Sequence, residues 1–291
     1  FGKTFVRIVS LGEIVRGGVM TIQSTGQTAL EYMPCRYGRS KLVFRGPRKR
    51  LETDYVAFLG GTETYGKFMP KPFPDLVEQG LDVQCVNFGC VNAGPDVFLG
   101  DPFVPGACSK ARVTVLEVMG AANLSNRFYS VHPRRNDRFL KPSMLMQTIF
   151  RGTDFTEFTF TRHLLSTLQS EAPEKYEIVV DELRQAWLAR MRSLLAKIDG
   201  KVILLWVKPP MTAQFGPLGG DPLFVDRTMM EQIGQSVTGI VEVDLPSHDA
   251  ALRLEGMSYT EMDQPAATEL WGAPAHQIVA AEVTKALTKM V

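Results

Sequence analysis

Five short runs of β-branched and apolar residues punctuate the chain, with longer stretches of helical composition between them. They are 55–59 (Tyr-Val-Ala-Phe-Leu), 83–87 (Val-Gln-Cys-Val-Asn), 112–118 (Arg-Val-Thr-Val-Leu-Glu-Val), 201–207 (Lys-Val-Ile-Leu-Leu-Trp-Val) and 239–243 (Gly-Ile-Val-Glu-Val). Each gives way at or near its end to glycine, proline or aspartate, and runs of this length and composition predict strands. Helical material between successive strands predicts parallel pairing. Over 174–198 the residues Leu183, Trp187, Met191, Leu194 and Leu195 fall on one face of a helix, and Gly200 supplies its stop. A closing helix is predicted over 274–290, just after Gly272. The pattern therefore predicts an α/β protein. Its expected form is a flavodoxin-like three-layer α/β/α fold, with a five-stranded parallel sheet and a helical insertion, about 124–199, after the third strand. Residues 211–235 and 246–272 read as loops with short helices. Met20 opens a natural start, so 1–19 are expected to be an N-terminal extension or leader and 20–291 a single domain.

Composition narrows the setting. Of the 291 residues 45% are apolar and 22% charged, the mix of a soluble globular protein. No stretch approaches the roughly 18 apolar residues of a membrane span. Lys3, Arg7, Glu13 and Arg16 interrupt the N-terminus, unlike a signal peptide. Cys35, Cys85, Cys90 and Cys108 form no CxxC pair or metal-finger spacing, and His163 and His248 lack ligand spacing. The expectation is a cytoplasmic protein with no metal, no cofactor and no membrane partner.

Net charge is only +1, yet 36–50 carries seven bases and no acid, and 127–138 carries four arginines against Asp137. Charge so concentrated in a near-neutral chain points to a local anion site rather than to nucleic acid. Arg39, Arg45, Arg48, Arg127, Arg134 and Arg135, with His132 and Asn126, are the candidate substrate-binding residues, because guanidinium forks suit phosphate, sulfate or carboxylate. A solvated basic face, or ion pairs with the acidic remainder, is the alternative. The expected partner is a small or anionic molecule; a homo-oligomer is also open.

In sheets of this kind ligands sit beyond the carboxyl ends of the strands. There the chain places Gly60-Gly-Thr-Glu-Thr-Tyr-Gly66, Asn87-Phe-Gly-Cys-Val-Asn-Ala-Gly94, Gly120-Ala-Ala-Asn123 and, in the first turn of the last helix, His276. Together these resemble degenerate forms of the four blocks of SGNH (GDSL-type) hydrolases, over the framework from about residue 51 onward. More narrowly, CRYGRSKLVFRGPRKR, FLGGTETYGKF and SNRFYSVHPRRNDRF resemble a bacterial family of unknown function. The superfamily resemblance implies an acyl esterase or acyltransferase. Thr62 would stand in place of the usual serine, Gly94 (or Gly89) and Asn123 would donate to an oxyanion, and His276 would act as base.

The sequence departs from the pattern at Gly61, where an aspartate is usual, at Ala273, three residues before His276, and in having two residues between Gly120 and Asn123. His132 competes as base, and Asp263 or Asp244 would have to orient His276 through space. Plainer roles stand beside these: a helix cap for Thr62, a turn or cap for Asn123 and Asn126, and a surface or capping residue for His276. Two further readings follow. One is a transferase binding an anionic donor, coenzyme A or a sulfonucleotide, through the arginine clusters. The other is a catalytically silent binding or structural protein.

Overall fold

The computed structural model describes residues 30–209, 216–247 and 250–290. The 1–19 extension and His248 lie outside them. The chain runs β1 (Val56–Leu59), α1 (Thr62–Tyr65), α2 (Phe73–Leu81), β2 (Cys85–Asn87), α3 (Pro95–Leu99), α4 (Val104–Lys110) and β3 (Val113–Glu117). An insertion follows, with β4 (Tyr129–His132), β5 (Arg135–Pro142), α5 (Met144–Ile149), α6 (Thr161–Glu171) and α7 (Pro173–Leu195). The framework resumes with β6 (Val202–Lys208), α8 (Arg227–Gly234) and β7 (Gly239–Asp244), then the short α9 (Ala250–Leu254) and α10 (Gln264–Ala267) and the closing α11 (Ala273–Leu287).

The five predicted strands form one parallel sheet in the order β2-β1-β3-β6-β7. Because side chains alternate across a strand, each face builds its own core. Val56, Phe58, Val113, Val115, Ile203 and Leu205 pack with Phe73 and Val77 of α2 and Val279 and Val283 of α11. Ala57, Leu59, Val86, Leu116, Leu204 and Trp206 pack with Val97 and Phe98 of α3 and Leu183, Trp187 and Met191 of α7. Burying each of the Val, Leu, Ile, Phe and Met side chains contributes about 1.5–3 kcal/mol, and the two faces together fix the sheet between its helical layers.

The insertion differs in part from expectation. Its second half is helical as predicted, but 129–142 fold as an antiparallel hairpin, β4 with β5. Phe128, Tyr129, Val131 and Phe139 are buried there, and Pro133 and Arg134 occupy the turn between the strands. Aromatic and β-branched residues flanking such a turn favour a strand pair over a helix. Among the described residues no helix is long and apolar enough to cross a membrane.

Candidate active site

The carboxyl ends of β1, β2 and β3 open into a cavity of about 700 Å3. Its walls include Thr62 and Glu63 from the start of α1, Asn92 after β2, Glu117 and Asn123 at and after β3, Asp137 from the hairpin, Thr161 and Arg162 from α6, and Trp271 before α11. The insertion thus covers one side of a site rooted in the sheet.

Thr62 is the first residue of α1, and Gly61 occupies the cap position without a side chain to offer. The Thr62 hydroxyl does not cap the helix. It accepts a hydrogen bond from the Asn92 backbone amide at 2.8 Å and donates to Asn92 Oδ1 at 3.1 Å. Asn92 takes the left-handed conformation, φ 54°, which asparagine tolerates better than most residues, and this turns its amide toward Thr62. Its side-chain amide donates to Asp137 Oδ2 at 3.1 Å. Asn123 completes the group: Nδ2 reaches the Asn92 carbonyl at 3.5 Å, and Oδ1 accepts from the Thr161 hydroxyl at 2.8 Å.

Capping of α1 falls to Glu117. Its Oε2 accepts from the amides of Gly61 (2.9 Å) and Thr64 (3.1 Å) and from the Thr64 hydroxyl. Burial pushes the Glu117 carboxyl above its usual range, against the pull of these donors. Glu63 accepts the Trp271 amide at 3.2 Å. Burial, then the neighbouring Glu117, drives it well above the usual range.

The structure therefore joins Thr62 and Asn123 as expected, and sets other expected residues elsewhere. The Gly94 amide is given to Asn136 Oδ1 at 3.2 Å and the Gly89 amide to Asn87 Oδ1 at 2.8 Å, so the donor facing Thr62 is Asn92. Gly94 is required for space: a Cβ there would lie 1.7 Å from the Asn123 carbonyl oxygen. His276 is fully buried, against Phe73 and Trp271. Its Nδ1 accepts the Phe73 amide at 3.1 Å, and Nε2 faces Glu63 Oε2 at 3.9 Å without a hydrogen bond. Burial, reinforced by the Arg45 charge, lowers its pKa to about 3, so it is neutral at ordinary pH. It neither lines the cavity nor bonds to Thr62. His132 ends β4 beside the hairpin turn, its Nδ1 accepting from the Arg134 amide.

None of the candidate arginines lines the cavity. Arg45 is buried and donates to the carbonyls of Gly66 and Pro70, both at 2.7 Å. Arg127 bonds Glu182, and Arg48 lies over the Tyr37 ring. Arg39, Arg134 and Arg135 are exposed. Asn126 organises its own loop, accepting from the amides of Phe128 and Tyr129. Among the described residues, the cations lining the cavity are Lys67, Arg162 and Arg253. Sequence reasoning passed over Asn92, Glu117 and Asp137. The one available signal was Asn92, an asparagine in a glycine-rich turn and so a candidate for positive φ. Burial raises the thiols of Cys85, Cys90 and Cys108 to about 12, which makes them poor nucleophiles.

Among solved structures, the chain is similar to a family two carbohydrate esterase from Clostridium thermocellum solved in complex with cellohexaose. The two share 12% identity and a TM-score of 0.41, with 85% of this chain and 67% of that chain covered. It is also similar to a gut microbial diltiazem-metabolizing enzyme, at 12% identity and a TM-score of 0.39. That match covers 81% of this chain and about half of the other, 47%. No curated protein matches. The chain belongs to the family described as Domain of unknown function (DUF6473), whose model matches residues 20–291.

Proposed function

We propose that the chain is an acyl esterase or acyltransferase acting on a small polar substrate with an anionic group, and that the Thr62 hydroxyl receives the acyl chain. One observation carries the reading: the Thr62 hydroxyl, the Asn92 amide and the Asn123 side chain meet on one cavity wall. In the proposed step Thr62 Oγ1 attacks the acyl carbonyl and loses its proton as the carbonyl oxygen becomes an oxyanion. In this step the Asn92 amide and Asn123 Nδ2, held at rest by Thr62 Oγ1 and the Asn92 carbonyl, turn to that oxygen as donors worth about 3 kcal/mol each. Collapse expels the alcohol, and water or a second alcohol then takes the acyl group from Thr62. His276 is sealed away, so the proton is assigned to Asp137, the carboxylate that Asn92 holds beside Thr62; it takes the Thr62 proton through a water molecule, since the Asn92 amide keeps its own protons, and returns it to the departing alkoxide. Lys67 and Arg253 supply the positive charge for the anionic group. Arg253 Nε is buried with no hydrogen-bond partner among the described residues, whereas Arg162 is paired with Asp221 at 2.7 Å.

The burial of His276 favours a second reading, a binding protein that holds its ligand without turnover. Purified wild type, Thr62→Ala and Asn123→Ala, assayed on p-nitrophenyl acetate with intact-mass detection of acyl-protein, separate the two. The esterase reading expects turnover to fall about a hundredfold or more in both variants and the acyl mass to appear on wild type alone. Equal background rates in wild type and Thr62→Ala would leave the binding reading.

A further inference from the structure

We propose that Glu117 is the positioning residue of this site: from the carboxyl end of β3 it holds the turn between β1 and α1 in the form that presents Thr62 to Asn92 and the cavity. The inference deepens the acyl-transfer reading and rests on that reading for its kinetic arm alone.

A single-turn helix has few bonds of its own, and its first amides have no partners within it. Glu117 Oε2 gathers two of those amides, Gly61 and Thr64, together with the Thr64 hydroxyl. Thr62 lies between the two residues so held. On the other side, Asn87 Nδ2 of β2 donates to the Thr64 carbonyl at 2.6 Å, so the turn is clamped between its two neighbouring strands. The clamp is closely fitted. A Cβ at Gly60 would lie 2.2 Å from Thr64 Oγ1 and 2.3 Å from Glu117 Oε2. Glu117 is buried and is one of the residues lining the cavity. Oε1 takes no hydrogen bond from the described residues.

An ionised carboxylate makes bonds about twice as strong as a neutral one, so protonation of Glu117 loosens the turn and shifts Thr62 against Asn92. The charged and titratable groups facing it are Glu63 on α1 and, after β6, Asp221, which is paired with Arg162 of α6. Burial raises the Glu117 carboxyl, while the Thr64 hydroxyl is the strongest of the influences lowering it. Removing that hydroxyl therefore moves its titration to higher pH.

The test follows the amide resonances of Gly61 and Asn92 against pH by NMR, in a Glu63→Gln/Asp137→Asn background that silences the neighbouring carboxyl and the one bonded to Asn92. The expected result is one shared midpoint above the ordinary glutamate value of about 4.3, a higher midpoint in Thr64→Val, and no titration in Glu117→Gln. The acid limb of kcat/KM on p-nitrophenyl acetate, to which Asp137 as base also contributes, should move to higher pH in Thr64→Val. An Asn92 amide that titrates regardless of Glu117, or a midpoint unmoved by Thr64→Val, overturns the proposal. Should Glu117→Gln fail to fold, the Thr64→Val shift decides. If wild type turns over no ester, the acyl-transfer reading falls, and the resonances alone judge Glu117.

Discussion

Gly94→Ala and Gly106→Ala make the same chemical change, and the structure gives them opposite signs. Gly94 has φ −115° and ψ 178°, backbone that any residue adopts, so alanine carries no conformational strain there. The difficulty is space. The new Cβ would lie 1.7 Å from the Asn123 carbonyl oxygen and 2.8 Å from its carbon, whereas real Cβ contacts essentially never fall below 3.0 Å. One backbone must therefore move by more than an ångström. Neither is free to do so: the Gly94 amide is fixed to Asn136, and Asn123 is fixed to Thr161. Overpacking costs about 1–3 kcal/mol, and a backbone-to-backbone clash belongs at the upper end. At about 2–4 °C per kcal/mol for a chain approaching this size, Gly94→Ala should lower Tm by about 6–12 °C. Gly106 lies within α4 with nothing inside 4 Å of its would-be Cβ. Alanine there should add about 0.5–1 kcal/mol through the smaller entropy of the unfolded chain. Thermal unfolding followed by circular dichroism measures both. If the two variants melt within about 1 °C of each other, the spatial account of Gly94 is wrong.

Two further outcomes follow from buried polar groups. Asn136 is fully buried; its Oδ1 accepts from the amides of Gly94 and Val97, and its Nδ2 donates to the His132 carbonyl at 3.0 Å. Asn136→Ala orphans the buried Gly94 amide and leaves the Val97 amide with the Gly94 carbonyl alone, at 3.2 Å; it should cost about 2 kcal/mol, read as a lower midpoint in urea at unchanged slope. Glu63 is held well above the usual carboxylate range by burial and by Glu117, so the stability it contributes is full below the unfolded pKa and is lost as pH rises through the folded one. Glu63→Gln should therefore gain stability over wild type as pH rises from 4 to 8, measured as a widening difference in Tm; a constant or shrinking difference refutes it.

The strands show how much the order of residues along the chain decides. Val56 to Leu59, Val113 to Glu117 and Val202 to Lys208 lie within or one residue beyond the predicted runs, because a buried parallel strand needs continuous apolar, β-branched residues and turn formers at its ends. The same logic placed α7 and α11 and put Thr62 and Asn123 at the sheet's carboxyl edge. The hairpin within the insertion was less legible, since its residues bury against one another, against α3 before it and against the helices that follow, contacts that act through space.

The site's chemistry was decided in three dimensions. Whether His276 faces a cavity or is enclosed by Phe73 and Trp271 depends on how α11 packs against α2, and those segments are some two hundred residues apart. Arg45 reads as a surface cation along the chain, but the fold buries it and gives it two carbonyls to satisfy. Glu117 sits in the third strand run with nothing nearby to distinguish it; only the pairing of β1 with β3 brings its carboxyl under the amides of Gly61 and Thr64. Local periodicity and turn chemistry act between near neighbours, so the sequence by itself determines the elements and their carboxyl ends. Hydrogen-bond partners, desolvation and closeness of approach act through space, so only tertiary structure determines which of the residues delivered there are free to act.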